Sequence, residues 1–191
     1  MTRKKRPVSP ASGELFDELL VVMAQQGDRV ALTRLFERWN TRLVRAAHRY
    51  TGESEASRDL AQECWVAICK GIGTLREPSR FRSYAFAALH RRGADHLRRS
   101  IRERGNASAE ASDTGETQAA SQGEHVAIRQ AFAALPPDQR LAAHLHFVEG
   151  LTLREIAEVQ DIAEGTAKSR LFHARRKLKA ALSEFTEGEL P

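Results

Sequence analysis

The chain has 191 residues, 41% of them apolar, and a net charge of +5, which allows one medium or two small packed domains and excludes wholesale disorder. It contains two cysteines, so a disulfide framework is excluded and a reducing compartment is expected. Because no stretch approaches the roughly 18 uncharged apolar residues of a membrane span, we expect a cytoplasmic chain without membrane insertion.

The first 12 residues form a basic arm. It begins with Arg3, Lys4, Lys5 and Arg6, but Pro7 follows where a secretory signal would have an apolar run. We expect this arm to be disordered, either touching DNA or simply solvated.

Residues 13–104 are predicted to form a helical domain. Its first apolar stripe recurs at helical spacing, at Leu15, Leu19, Val22 and Met23. Gly27 interrupts the pattern, and Asp28 can cap a second helix whose stripe runs through Trp39. A third helix is predicted over about 55–70 and a fourth over about 82–99.

Residues 105–125 separate this half from the next. They include no Lys, Arg, aromatic residue, Val, Ile or Leu. Such a stretch cannot bury enough apolar surface to offset the entropy of ordering it. We therefore predict a flexible linker.

Residues 126–186 are predicted to form a second helical domain. Two helices flank Pro136 and Pro137, and Thr152 with Glu155 has the spacing of a capping box that starts a third. A fourth begins near Gly165. Because no useful period-2 apolar alternation appears anywhere, the predicted fold class is all-α, with two small domains joined by the linker.

The segment 151–179 has the pattern of a helix-turn-helix, a motif whose second helix enters the DNA major groove. One face of that helix is apolar, at Ala167, Leu171, Ala174 and Leu178. The predicted DNA-contacting residues lie mainly on the opposite face: Thr166, Lys168, Ser169, Arg170, His173, Arg176 and Lys177. The alternative is an ordinary amphipathic helix with a solvated basic face.

Three ordered runs in this half, 135–140, 149–157 and 165–171, resemble region 4 of extracytoplasmic-function sigma factors, members of the sigma-70 family. The resemblance implies a domain that reads the −35 promoter element and docks on the flap of the polymerase β subunit. The chain departs from the family at Gln160 and Asp161, where an apolar residue and a glycine are usual. Asp tolerates the left-handed turn better than most residues, so we expect the turn to survive.

The N-terminal half resembles region 2 of the same family, less closely. Gly27-Asp28 and the run 35–39 match its opening. The resemblance implies that one helix binds the clamp helices of the polymerase β′ subunit, through Asp59, Leu60, Gln62, Glu63 and Trp65. The alternative for this segment is a polar helix face with a core tryptophan.

The resemblance also implies a segment that opens and holds the −10 element. The residues it assigns there are Arg80, Phe81, Arg82, Tyr84, Arg91, Arg98 and Arg99. Aromatic side chains can stack an unpaired base, worth about 1–3 kcal/mol per base, while arginines neutralise the backbone. The alternative for Phe81 and Tyr84 is core packing.

Together these features predict a protein that selects promoters and initiates transcription, in a stress or signal response. Its implied partners are core RNA polymerase, promoter DNA and an anti-sigma factor. No phosphate-binding loop, dinucleotide fingerprint or nucleophile–base pair occurs, so we expect no enzyme activity, cofactor or metal. The alternatives are a helix-turn-helix regulator that acts without polymerase, a sigma-like decoy that binds only an anti-sigma protein, and a nucleic-acid-processing enzyme.

Overall fold

The structure, a computed structural model, describes residues 12–106 and 124–188. These ranges are helical and contain no strand. The α-helices are α1 Ser12–Gln25, α2 Arg29–Thr51, α3 Ser54–Gly71, α4 Phe81–Asn106, α5 Glu124–Ala133, α6 Pro137–Phe147, α7 Leu153–Gln160 and α8 Glu164–Gly188. Two short 3-10 turns, Ile72–Thr74 and Pro78–Arg80, connect α3 to α4. Most of the predicted arm and linker, residues 1–11 and 107–123, lies outside the described residues.

Local chemistry sets the first helix boundaries. The side chain of Asp28 accepts hydrogen bonds from the backbone N–H groups of Val30 (2.8 Å) and Ala31 (3.1 Å), which caps α2 as predicted. Gly52 ends α2 with a left-handed φ of 73°. The fourth helix runs to Asn106 instead of ending near Arg99, since no glycine or proline lies between Arg99 and Gly105.

The core of the N-terminal half is centred on Trp39 of α2, which is 2% exposed. The rings of Phe81 and Phe86, both on α4, pack against its indole with centroid distances of 5.2 and 6.0 Å. Helices α2, α3 and α4 pack on one another around this cluster, and α1 lies across α2. The arrangement places the start of α4 and the outer face of α3 in fixed positions.

The first helix packs by a different face from the predicted one. Leu15 and Leu19 are each 52% exposed, whereas Leu20 and Val21 are buried. The reason is that Asp17 lies on the inner side, where its carboxylate forms a 2.6 Å ion pair with Arg38 of α2. The helix forms as predicted, but Leu15 and Leu19 lie on its outer side.

The C-terminal half packs α5, α6 and α7 around α8. Its inner cluster contains Leu135, Ala143 and Ala174. Arg140 of α6 reaches back to the loop before its own helix and donates a 3.0 Å hydrogen bond to the Leu135 carbonyl oxygen. None of the described helices has the length and apolar character that a membrane crossing requires.

The two halves pack against each other. Leu141, Leu145, Leu151 and Ile156, from α6, α7 and the loop between them, belong to the same buried cluster as the core of the N-terminal half. The main contacts join α4 to α7 and α2 to α6. The sequence predicted both helical units but not this contact, because the residues that meet are far apart in the chain.

Candidate nucleic-acid interface

Both ends of α7, the helix before α8, form as the sequence predicted. Thr152 Oγ1 accepts a hydrogen bond from the Glu155 N–H (3.2 Å), and Glu155 Oε2 accepts one from the Thr152 N–H (2.8 Å). This capping box starts α7. Asp161 ends α7 in a left-handed conformation with φ of 51°, so the departure from glycine is accommodated.

Helix α8 buries its predicted apolar face. Ala167 and Ala174 are fully buried and Leu178 is 8% exposed, while Leu171 is half-buried. Five predicted DNA-contacting residues are exposed on the helix: Thr166, Lys168, Ser169, Arg176 and Lys177. The result is a basic, solvent-facing helix packed on an apolar seam, which is the geometry that major-groove binding requires.

Arg170 and His173 are half-buried, unlike the other predicted contacts on α8. Arg170 forms an ion pair with Asp138 (2.8 Å) and donates to Gln160 Oε1 (3.1 Å). In this structure Arg170 therefore holds α8 to α6 and α7, and its contact with DNA stays a prediction. Arg170 is drawn inward because the buried Gln160 offers its Oε1 as an acceptor within reach of the guanidinium.

The start of α4 differs from the prediction at its aromatic residues. Phe81 is 1% exposed and packs edge-on against Trp39, so it is a core residue here and not an accessible platform for a base. Phe81 is buried because it is the first residue of α4 and its ring lies on the side of that helix that faces α2. Tyr84 is half-buried, and burial raises the pKa of its phenol.

A cavity of about 340 Å³ lies beside Tyr84. The loop before α4 contributes Arg76 and Arg80 to its lining, while Glu158 and Val159 of α7 form another part of its wall. Here basic side chains and an aromatic ring surround a space large enough for a base. The sequence predicted the residues on the α4 side but not the wall supplied by α7.

Arg80 and Arg82 are both engaged. Arg80 is ion-paired with Glu158. Arg82 lies 2.9 Å from Glu14 Oε1 and 3.4 Å from Glu155 Oε1. Further along α4, Arg91, Arg98 and Arg99 are exposed.

A buried carboxylate lies next to these arginines. Glu149 is 7% exposed and accepts hydrogen bonds from Arg42 Nη2 (2.5 Å) and Nε (2.9 Å). His144 Nε2 lies 3.6 Å from its other oxygen. Burial on its own would raise the pKa of Glu149, but the contacts to His144 and Arg42 outweigh it and lower that pKa below its ordinary value.

Helix α3 presents the predicted polymerase-binding face only in part. Asp59, Gln62 and Glu63 are exposed. Leu60 and Trp65 are 4% and 5% exposed, so both are core residues, which favours the alternative of a polar helix face with a core tryptophan at these two positions. Their positions on α3 face α2 and α4, and the helix can bury only one side there.

Two apolar residues that the prediction missed lie on the outside of this region. Val66 is 49% exposed on α3, and Phe36 of α2 is 41% exposed with its ring 5.0 Å from that of Trp65. Val66 follows Glu63 by three residues, a spacing that places both on one helix face and was available in the sequence. On α8, Phe172 is likewise 62% exposed.

The described side chains contain no group of three or more His, Cys, Asp or Glu arranged to hold a metal ion. The candidate sites are the basic surfaces and the exposed face of α3. They suit contacts to phosphates, bases and another protein.

Comparison with known proteins gives a family for each half. Residues 35–103 match the sigma-70 region 2 family, and residues 125–178 match the sigma-70, region 4 family. The chain is 26% identical over 184 residues to the RNA polymerase sigma-H factor of Pseudomonas aeruginosa, covering 87% of this chain and 93% of that protein. It is 28% identical over 182 residues to the ECF RNA polymerase sigma factor SigM of Mycobacterium tuberculosis, covering 92% and 89%.

A solved structure shares the fold. It is the sigma factor RpoE from Bartonella quintana, crystallised with the anti-sigma factor NepR, with a TM-score of 0.71 and 21% identity over 80% of this chain and 96% of that one. Region 2 lies in the N-terminal half of this chain and region 4 in the C-terminal half. The chain therefore belongs to the sigma-70 family of RNA polymerase sigma factors and, within it, to the extracytoplasmic-function type.

Proposed function

We propose that the chain binds core RNA polymerase in the cytoplasm, recognises the −10 and −35 promoter elements, and promotes initiation in a stress or signal response. The observation that carries this proposal is the exposed basic face of α8, held behind a capped turn in the half that matches region 4. It acts as an initiation factor and performs no bond chemistry of its own.

The −35 element is read by α8. Arg176 and Lys177 on its exposed face reach base edges or phosphates, and the smaller Thr166 and Ser169 suit close approach near the helix start. The N-terminus of α8 adds backbone N–H groups that attract phosphate. Arg170 positions the helix through Asp138 and contributes to DNA contact only if that pair opens.

The −10 element is held at the start of α4. Arg80 lines the cavity beside Tyr84, which offers space for an unstacked base, and Arg82 follows in the first turn of α4. Phe81 supports this surface from the core instead of stacking on DNA. Arg91, Arg98 and Arg99 follow the backbone along the exposed side of α4.

Core polymerase binds the outer face of α3. Asp59, Gln62 and Glu63 offer polar contacts to the β′ clamp helices, and Phe36 and Val66 supply the apolar part in place of the buried Leu60 and Trp65. The C-terminal half docks on the β flap, where the exposed Phe172 offers an apolar contact.

An anti-sigma factor is the proposed regulator. Support comes from the solved structure of the sigma factor RpoE, which was crystallised with the anti-sigma factor NepR. The exposed apolar residues of α1, Leu15 and Leu19, add surface that such a partner can cover.

Gel filtration of the purified chain with core polymerase tests the proposal. We expect a complex that displaces the housekeeping sigma factor when added in excess. A chain that elutes alone would make the helix-turn-helix regulator the better account. A chain that binds core but never supports initiation would favour a decoy.

A further inference from the structure

The side chain of Gln25, the last residue of α1, bonds to the loop that precedes α4. Its Nε2 donates hydrogen bonds to the backbone oxygens of Ile72 (2.9 Å) and Leu75 (2.8 Å). Carbonyl oxygens can only accept, so the amide must turn its nitrogen toward them and uses both of its N–H groups there. One side chain of α1 therefore fixes two points of a loop that lies 47 and 50 positions further along the chain.

The two acceptors of Gln25 lie where regular structure stops. The first 3-10 turn closes with a 3.2 Å hydrogen bond from the Leu75 N–H to the Ile72 oxygen. Residues 75–77 then lie between the two 3-10 turns and outside any helix. Because Gln25 bonds the same two residues that close the turn, it supports the loop at the point where the helical bonds end.

The anchored residue forms part of the wall of the cavity beside Tyr84. Leu75 lines this cavity, and Arg76 and Arg80 of the same loop line it as well. Arg76 is exposed, and its backbone follows directly from the carbonyl group that Gln25 holds. Gln25 therefore sets the position of basic groups proposed to receive the −10 strand, although it is not itself among the residues that line the cavity.

Helix α1 also contacts the far end of this segment. It packs against both 3-10 turns. Glu14, near the start of α1, lies 2.9 Å from Arg82 in the first turn of α4. That ion pair is half-exposed and contributes little stability, so the partly buried hydrogen bonds of Gln25 are the stronger constraint on the loop.

We propose that Gln25 is a positioning residue for the −10 element, which holds Ile72 and Leu75 so that the loop keeps the shape that receives an unstacked base. A loop that already has its bound conformation loses less conformational freedom when DNA binds. A cavity wall that is held in place also rejects a base of the wrong shape better than a wall that yields. This inference rests on the proposed function, since it concerns how the same cavity selects the −10 strand.

Hydrogen exchange of the full chain, read by mass spectrometry, tests the anchor itself. Gln25→Met keeps the length of the side chain and removes both donors. Exchange in the peptide covering residues 72–80 should become about tenfold faster, the effect expected for losing two hydrogen bonds of ordinary strength. Peptides from α5 to α8 should be unchanged. The matched control is Gln26→Met, the same change at the neighbouring exposed position. Equal exchange of residues 72–80 in the parent and in Gln25→Met would overturn the proposal.

Base discrimination tests the consequence for promoter selection. A promoter that the parent protein transcribes with core polymerase is mixed in one tube with single-base variants of its −10 element, and the transcripts are distinguished by length. Their ratio does not depend on how much of the protein is folded, so a variant that is merely less stable leaves the ratio unchanged. Gln25→Met should lower the preference for the parent base at a −10 position about fivefold, within the discrimination that a single base pair carries.

The same competition with single-base variants of the −35 element provides the second control, and there Gln25→Met should give the parent's ratios. Unchanged −10 ratios in Gln25→Met, an equal loss at the −35 element, or an equal loss in Gln26→Met would each overturn the proposal. A parent protein that yields no transcript with core polymerase would contradict the proposed function, and this inference with it, even where hydrogen exchange confirms the anchor.

Discussion

The guanidinium of Arg170 lies 2.8 Å from the carboxylate of Asp138, so α8 is tied to α6 by a residue that the sequence assigned to DNA. Arg170 also bonds the buried side chain of Gln160, which in turn donates a 3.2 Å hydrogen bond to the Asp138 backbone oxygen. The three residues form a small network under the helix-turn-helix. The exposed Arg176 on the same helix is outside that network.

This difference predicts opposite outcomes for two arginine substitutions. Arg176→Ala should weaken promoter binding by about 1–3 kcal/mol if it contacts a base, with unchanged affinity for core polymerase. Arg170→Ala should instead lower the free energy of unfolding by about 1–3 kcal/mol, because the buried oxygen of Gln160 loses its partner. DNA titration and urea unfolding measure the two effects. Loss of core affinity together with DNA affinity in the Arg176 variant would indicate misfolding and contradict the assignment.

A charge reversal on α3 tests the polymerase-binding face. Glu63 is exposed, and its contact with Arg92 is long, at 3.8 Å, so Glu63→Lys should leave the melting temperature nearly unchanged. Affinity for core polymerase should fall at least about tenfold, which corresponds to 1.4 kcal/mol. Glu55→Lys, exposed at the start of the same helix, is the control. Equal pull-down of both variants by core would remove Glu63 from the interface.

Adding a single methyl group at Gly93 of α4 is predicted to destabilise the fold. A Cβ at Gly93 would lie 2.6 Å from the ring of Tyr50, whose hydroxyl is bonded to His90 Nδ1 at 2.8 Å. The ring cannot move without losing that bond, so Gly93→Ala should lower the free energy of unfolding by about 1–3 kcal/mol. Gly73→Ala is the control, since nothing lies within 4 Å of its added Cβ. In urea unfolding, the free energy of unfolding of Gly73→Ala should be unchanged or higher by up to about 1 kcal/mol. An equal loss of stability in both variants would contradict the packing of Gly93 against Tyr50.

The Glu149 carboxylate predicts a dependence of stability on pH. Its pKa in the folded chain lies below its ordinary value of 4.5, so the unfolded chain takes up the proton first as pH falls. The stability from Glu149 is therefore present above about pH 4.5 and is lost as pH drops through the folded-state pKa. Urea unfolding of the parent and of Glu149→Gln should differ at pH 7 and converge in acid. A difference that stays constant with pH would contradict the ionised, paired state.

Features determined by local chemistry were predicted from the sequence. Asp28 caps α2, Thr152 and Glu155 form the capping box, and Asp161 takes the left-handed turn, since each depends only on residues within a few positions. The basic face of α8 followed from helical periodicity in the same way. The family assignment rested on motifs in this part of the chain.

Burial at the helix–helix contacts was harder to predict. Phe81, Leu60 and Trp65 suit either a core or a binding surface, and their burial depends on how α2, α3 and α4 pack. The contact of Arg42 with Glu149 joins residues 107 positions apart and has no local pattern. The ion pair of Arg80 with Glu158 likewise joins the two halves, and periodicity along one helix cannot predict it.

The most direct measurement is transcription in vitro by purified core polymerase on a library of bacterial promoters, with and without the protein. The account predicts transcripts that require the protein and start downstream of a shared two-part motif. Arg176→Ala should reduce them through the upstream element, and Arg80→Ala through the step that opens DNA. Stable binding to core without any protein-dependent transcript, from a library that the housekeeping sigma factor transcribes, would contradict the central claim.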